Sequence, residues 1–165
     1  MDFLTEVKQH VGQHRLIFGS GDLFSAEDCI RMLAETGVDG VTIARGAIGN
    51  PWIFTQVDAL WRGEPLPPPP SLREQARVIH EHYALCESTY GVDRAATMMR
   101  KFCIKYSAGH PQHETIRELL VRIRSREQVE GVLSEYYDND LPGRYLPREI
   151  HGSQEEEEEE EEGCG

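Results

Sequence analysis

Apolar positions change their spacing once along this chain, and the change divides it. Through the first sixty residues, short apolar runs alternate with amphipathic stretches. Residues 15–18 (RLIF) read as a strand that ends in the turn Gly19-Ser20-Gly21-Asp22. A helix follows: Ser25 is placed to cap it, Asp28 falls three residues later, Ile30, Leu33 and Ala34 share a face, and Gly37 closes it. Residues 38–44 (VDGVTIA) read as a second strand holding Val41 and Ile43. The turn Arg45-Gly46-Ala47-Ile48-Gly49 then leads to Asn50-Pro51, a cap and first helical position for a helix over 52–61. Two strand–turn–helix units in succession predict parallel strands, because each helix must cross back over the sheet. A parallel sheet is normally covered on both faces, and two strands cannot achieve that, so the segment reads as the closing part of a larger α/β fold.

Residues 63–70 (GEPLPPPP) break the pattern with a proline run expected to be extended and stiff. Beyond it the spacing is helical throughout. Ser71 with Glu74 makes a second capping signal, and Leu72, Ala76, Ile79, Tyr83, Cys86 and Tyr90 form a stripe ended by Gly91. Asp93 is placed to start the next helix, with Ala95, Met99, Phe102 and Tyr106 as its stripe and Gly109-His110-Pro111 as its stop. A third helix carries Ile116, Leu119, Leu120 and Ile123. A fourth begins at Ser125, with Gln128 three residues on, and buries Val129, Val132, Leu133 and Tyr136. Such stripes pack against one another in a small bundle. The predicted class is therefore α/β followed by all-α, without an internal repeat.

Length and charge refine this picture. A chain of 165 residues can bury a core without disulfides. With 39% hydrophobic and 28% charged residues it has the composition of a soluble domain, with no apolar run long enough to cross a bilayer and no signal peptide. The net charge of −12 argues against a polyanionic partner at first sight, but eight of those charges are the glutamates at 155–162, and removing them leaves −4. So dense a like-charge run predicts a disordered tail. The organisation expected is an α/β segment at 1–62, a linker at 63–70, a helical domain at 71–140 and an acidic tail at 141–165. Cys29, Cys86, Cys103 and Cys164 form no C-x-x-C pair and no zinc spacing, which suits a reduced, cytoplasmic setting. His110 and His113 flank a proline turn without a third ligand, and His80 and His82 diverge on a helix, so no metal site is expected.

Two features carry candidate chemistry. Each glycine-bearing turn at the carboxyl end of a parallel strand presents backbone N–H groups, and two such turns from adjacent strands would converge on one phosphate, with Arg45 adding charge. Either turn alone is equally served by the ease with which glycine turns; their pairing in consecutive units is the stronger signal. The second feature lies at 93–126, where Arg94, Arg100, Lys101, Lys105, Arg117, Arg122, Arg124 and Arg126 face only Asp93, Glu114 and Glu118, a local charge of +5. Arg94, Lys101 and Lys105 fall at spacings of seven and four, on one side of a helix, and Arg117 and Arg124 align likewise. Such a face can follow a phosphate backbone, with Tyr90 or Tyr106 offering a ring to an unstacked base; an ordinary solvated helix face has the same composition.

The run GSGDLFSAEDCIRMLAETGVDGVTIARGAIGNPWIF, at 19–54, closely resembles the tRNA-dihydrouridine synthase family, flavoenzymes whose barrel ends in a G-D-(I/L) turn and a (G/A)-R-G-A-x-G-N-P-W-x-F segment. The helical part is similar to that family's RNA-binding domain in Met99-Arg100-Lys101, in Tyr106, in the Gly-His-Pro break and in the arginine-bearing helix after it. The resemblance runs from about residue 15 to residue 137 and is most specific at 44–54, since other flavin barrels share a phosphate site without the R-G-A-x-G-N-P-W continuation. It implies the last two β/α units of a TIM (β/α)8 barrel followed by a helical tRNA-binding domain, with FMN as cofactor, NADPH as reductant and tRNA as partner.

Carried over by position, Gly19, Ser20, Gly21 and Asp22 match the FMN-contacting turn after the seventh barrel strand, and Ala44, Arg45 and Gly46 the turn after the eighth. Ser20 and Ala44 stand where many relatives have Asn and Gly, and Phe102 and Lys105 where the family has His and Trp. Arg94, Arg100, Lys101, Lys105, Tyr106, Arg117 and Arg124 are the implied RNA contacts. The family's catalytic cysteine, in an N-x-G-C-P context, and its flavin-ring lysine and histidine have no match here. The expectation is a C-terminal portion that supplies FMN-phosphate and tRNA contacts, completed by a missing N-terminal barrel portion and inactive alone. The alternatives are a free-standing helical RNA-binding module and a piece of another FMN barrel acting on a small molecule.

Overall fold

In the computed structural model the described residues are 2–146, and they form two units, one of Met1–Ala47 with Pro51–Pro67 and one of Ile48–Asn50 with Pro68–Pro147. The division falls inside the proline run. The architecture is mostly helical, with two short strands paired in parallel.

The first unit begins with α1 (Asp2–Val11), whose Leu4, Val7 and Val11 recur at helical spacing. Next come a single 3-10 turn at Gly12–His14, β1 (Phe18–Gly19), α2 (Ala26–Thr36), β2 (Gly40–Val41), a 3-10 turn at Arg45–Ala47 and α3 (Ile53–Trp61). The strands predicted at 15–18 and 38–44 contract to two residues each, with Phe18 opposite Gly40 and Gly19 opposite Val41. Parallel hydrogen bonding continues one step either way, Asp39 N–H to the Ile17 carbonyl and Thr42 N–H to the Gly19 carbonyl, both 2.8 Å. Lys8 and the Ile17 amide both donate to the Asp39 carboxylate, tying α1 to the strand pair, and they hold that carboxyl below its usual range.

Between strand and helix the predicted caps form. The Asp28 amide donates to Ser25 Oγ at 3.1 Å, and Gly37, at φ +68, donates to the Leu33 carbonyl. A small core gathers Leu23, Cys29, Met32 and Val38, with Leu4, Ile17, Leu33, Val41, Ile43 and Val57 against it. One cap is corrected. Asn50 is buried and does not cap α3, which starts after Trp52 without a side-chain cap, because the turn before it is longer than Asn50-Pro51 alone implies.

The second unit stacks α4 (Leu72–Tyr90) on α5 (Val92–Ser107), α5 on α6 (His113–Val121) and α6 on α7 (Arg126–Tyr136). Ser71 Oγ accepts the Glu74 amide, and Gly91 alone separates α4 from α5. The buried layer contains Leu72, Ile79, Tyr83, Cys86, Ala95, Met99, Cys103, Tyr106, Ile116, Leu120, Ile123, Val129 and Leu133. The stripes fray at their ends: Tyr90 and Leu119 are exposed, and Tyr137 rather than Tyr136 is fully buried, its ring centroid 4.7 Å from that of His110 and tilted by 55° to it. Ser125 does not cap α7 with its side chain; instead Gln128 Oε1 accepts the Arg124 amide at 2.6 Å.

Order continues past residue 140. Leu72 N–H donates to the Leu141 carbonyl, Gly143 N–H to Pro70, and Arg144 donates from its amide to Gly109 and from Nε to Ala108. Gln75, 1% exposed, sits beneath this strap with Nε2 bonded to the carbonyls of Pro70 and Gly109. A Cβ on Gly143 would stand 2.1 Å from that nitrogen, so glycine is what lets the strap close. The glutamate run at 155–162 lies outside the described residues.

Candidate functional site

Because the strands are parallel, the chain leaves both at the same end, and the two following turns meet there. They enclose a cavity of about 120 Å³ lined by Ser20, Gly21, Asp22, Leu23, Phe24, Thr42, Ala44, Arg45 and Gly46. Six of the seven residues singled out from the sequence line it. The seventh, Gly19, lies next to it in β1, where a Cβ would come 2.5 Å from Met32 Sδ, so glycine there lets α2 pack against the strand. Leu23, Phe24 and Thr42 are lining residues the sequence reading missed. Their position between the two glycine turns was the available signal.

Local geometry explains why the cavity exists. Gly21 has φ +120 with open space where a Cβ would project, and Asp22 has φ +48, so the first turn runs through left-handed backbone twice. Neither amide is hydrogen-bonded among the described residues. Gly46 is buried, and a Cβ there would stand 2.0 Å from the Leu23 carbonyl oxygen, which makes glycine obligatory for the second turn to close on the first. Ser20 Oγ donates to the Thr42 carbonyl at 3.2 Å, and Arg45 Nη2 meets Asp22 Oδ1 at 3.0 Å while its guanidinium lies over the Phe24 ring at 5.6 Å. Arg45 and Asp22 are 51% and 77% exposed, so their pair is screened by solvent and open to competition from another anion.

The volume decides what fits. Pockets for drug-sized molecules run from roughly 300 Å³ upward, so this space suits a phosphate and not a whole cofactor. Exposed backbone amides with one arginine are the donor set such an anion requires.

In the second unit the cations of α5 differ in exposure. Arg94 and Lys101 are exposed, and Arg100 and Lys105 are half-buried; on α6 Arg117 is half-buried, and Arg124, just beyond it, is exposed. Tyr106 is corrected as a stacking candidate. It is 5% exposed, lies edge-on to His82 with Oη 3.3 Å from His82 Nδ1, and burial pushes its hydroxyl up to about 12. A ring enclosed between α4 and α5 offers no face to a base. Tyr90 keeps an exposed ring, with the Arg94 guanidinium over it at 5.5 Å. Arg126, counted in the basic segment, is paired with Glu87 and Glu130. Gly49, at φ +74, belongs to this unit, and a Cβ there would reach 2.6 Å from the Lys105 carbonyl carbon.

The sequence profile described as dihydrouridine synthase matches residues 2–140 of this chain. The chain belongs to the dihydrouridine synthase family. Among curated relatives, a probable tRNA-dihydrouridine synthase of Mycobacterium tuberculosis is 34% identical over 130 residues, 79% of this chain and 33% of that protein. A tRNA-dihydrouridine synthase B of Xanthomonas campestris is 30% identical over 137 residues, 83% of this chain and 41% of the relative, and a probable tRNA-dihydrouridine synthase of Rickettsia conorii is 28% identical over 136 residues, 82% and 40%. The chain thus spans about a third to two fifths of the length of the dihydrouridine synthases it matches.

Three cysteines are among the described residues, and all are buried. Burial pushes Cys29 up to about 11 and Cys103 up to about 12, and raises Cys86 as well. Thiols so placed neither face the cavity nor ionise near neutrality. Among the described residues no cluster of histidine, cysteine or carboxylate side chains could hold a metal ion, and no helix is long and apolar enough to cross a membrane.

Proposed function

We propose that this chain acts in the reduction of uridine to 5,6-dihydrouridine in tRNA, and that it supplies two parts of that enzyme: a cradle for the phosphate of FMN and a cationic helical surface for tRNA. The observation that carries the reading is the meeting of the two β–α turns on one small cavity, with Arg45 at its rim and glycine required at its closure. Parallel strands feeding α2 and α3 are what the last two units of a (β/α)8 barrel would look like, and phosphate sites after the final strands are a recurring property of that fold. When bound, FMN supplies hydride for the uracil double bond and is itself reduced by NADPH.

The residues of the chain hold and orient. Gly21 and Asp22 present amides toward the phosphate, Gly46 brings the second turn against the first, Arg45 contributes charge, and Ser20, through the Thr42 carbonyl, fixes one turn to the other. Ala44, small and at the rim, leaves the ligand room. On the helical unit, Arg94, Arg100, Lys101, Lys105, Arg117 and Arg124 are the groups we assign to the tRNA backbone, through sequence-independent attraction to phosphates. None of Cys29, Cys86 and Cys103 is placed to donate a proton to the uracil ring, so the acid of the reaction is assigned to a group other than these three, and the 165-residue chain by itself is expected to be inactive.

Binding of FMN and of riboflavin, followed by titration against the purified protein, tests the phosphate assignment. Tighter binding of FMN, lost on replacing Arg45 by glutamate, agrees with it; equal affinity for the two flavins contradicts it.

A further inference from the structure

Two tyrosines of the helical unit carry an arginine over their rings, and the two pairs are built differently. Arg126 lies 5.7 Å from the Tyr83 ring centroid, but Tyr83 is 2% exposed and the guanidinium is held by Glu87 at 2.5 Å and Glu130 at 2.9 Å. That pair is closed: its ring lies in the core and its charge is neutralised. Arg94 lies 5.5 Å from the Tyr90 ring centroid, with Tyr90 47% exposed and Arg94 exposed as well. Among the described residues Arg94 meets no carboxylate. Of the acids nearest in sequence, Glu87 is taken by Arg126, and Asp93 lies about 100° around α5 from Arg94.

The backbone sets this open pair on a corner. Tyr90 ends α4 and Val92 begins α5, so Gly91, at φ +82, makes the whole turn by itself and brings the third residue of α5 over the last residue of α4. The corner is bare: residues 88–94 are all exposed, and a Cβ on Gly91 would meet nothing within 4 Å. A phenol ring and a guanidinium offer flat surfaces for stacking, and the unneutralised charge favours an anionic ligand. A flat ring joined to an anion is a nucleotide, whose base stacks while its phosphate meets the charge. Bases inside a duplex are already stacked on their neighbours, so a platform of this kind engages a loop or a single strand.

We propose that the Tyr90–Arg94 pair is a stacking platform for one unstacked nucleobase of a looped or single-stranded RNA segment, with the flanking phosphate on Arg94. This names a subsite within the tRNA surface assigned above and rests on that reading. Stacking is tolerant of base identity, so the platform anchors a loop without reading its sequence.

The test titrates a fluorescent tRNA transcript against the full chain and its variants at several salt concentrations, with Tm measured alongside. Tyr90→Leu keeps an apolar side chain and removes the stack. It should weaken binding about tenfold, the scale of one lost base stack, with Tm unchanged and with the same slope of log affinity against log salt. Arg94→Gln should reduce that slope by about one. Tyr90→Trp retains a stacking ring and should bind at least as tightly as the parent, and tRNA should quench its added indole emission beyond any change shown by Trp52 and Trp61 in the parent. Equal affinity of Tyr90→Leu and the parent overturns the platform and leaves the tRNA assignment standing. So does a slope unchanged by Arg94→Gln, or weakened binding by Tyr90→Leu that accompanies a lowered Tm while the indole of Tyr90→Trp stays unquenched, the signature of a purely structural corner. Absence of tRNA binding by the parent overturns the tRNA assignment and this inference with it.

Discussion

Arg45 Nη2 and Asp22 Oδ1 lie 3.0 Å apart, joining the turn after one strand to the turn after its neighbour. A bound phosphate would contest this pair, since it needs the arginine and is repelled by the aspartate. Asp22→Asn keeps a side chain that tolerates φ +48 and removes the repulsion, so FMN should bind more tightly. Arg45→Met should weaken FMN binding, by about tenfold for the loss of one charge-assisted contact of roughly 1.5 kcal/mol. Calorimetric titration of both variants checks the opposite signs.

Gly46 is the position at which the two turns touch. Alanine there would place its Cβ 2.0 Å from the Leu23 carbonyl oxygen, a backbone atom that cannot swing away. Gly46→Ala should therefore destabilise the first unit by about 1–3 kcal/mol and open the cavity. Thermal denaturation with and without FMN reads both effects: a lowered Tm and no further rise on adding the ligand. An unchanged Tm would contradict the close approach.

His110 is locked as a neutral ring in the helical unit. Its Nδ1 accepts the Gln112 amide at 2.9 Å, and Nε2–H donates to the Tyr136 carbonyl at 3.1 Å. Burial, helped by the nearby Arg144 charge, lowers its proton affinity in the folded state, against the opposing pull of the Tyr136 carbonyl. The unfolded chain then binds the proton more readily than the folded one. Stability is fully present above about pH 6.5, the ordinary histidine value, and declines as the pH falls through that value toward the lowered folded one. Urea denaturation across this range should show a slope that is flatter in His110→Gln.

The buried thiols give a fourth expectation. Cys29, Cys86 and Cys103 should resist maleimide modification at pH 7 in the native protein and react once it is denatured, because each is enclosed and held in the protonated form. Peptide mapping by mass spectrometry identifies the modified positions. Rapid labelling of Cys29 in the native state would contradict the core assigned to the first unit.

Much of this structure is legible in the residues, for identifiable reasons. The helix at Ala26–Thr36 announces itself by Ser25 and Gly37, both of which cap it as their local chemistry requires, whereas the Asp28 carboxylate turns to Arg31. The glycine-bearing turns were legible because their requirement is steric: only glycine closes the contact between Gly46 and Leu23. What failed depended on neighbours. Strand length is set by the partner strand, so apolar runs of four and seven residues yielded two paired residues each. Tyr106 carries the same phenol whether exposed or enclosed; its packing against His82, a residue twenty-four positions away, decided the matter. The strap beyond residue 140 was illegible because it is fixed by main-chain bonds to Pro70, Ala108 and Gly109, which no side-chain pattern encodes.

The most direct test of the account is the dihydrouridine content of tRNA from cells in which the gene for this protein is disrupted, measured position by position. Loss of dihydrouridine at one or more tRNA positions, restored by the intact gene and not by a copy carrying Arg45→Glu, is the predicted result. Unchanged dihydrouridine at every position would contradict the account.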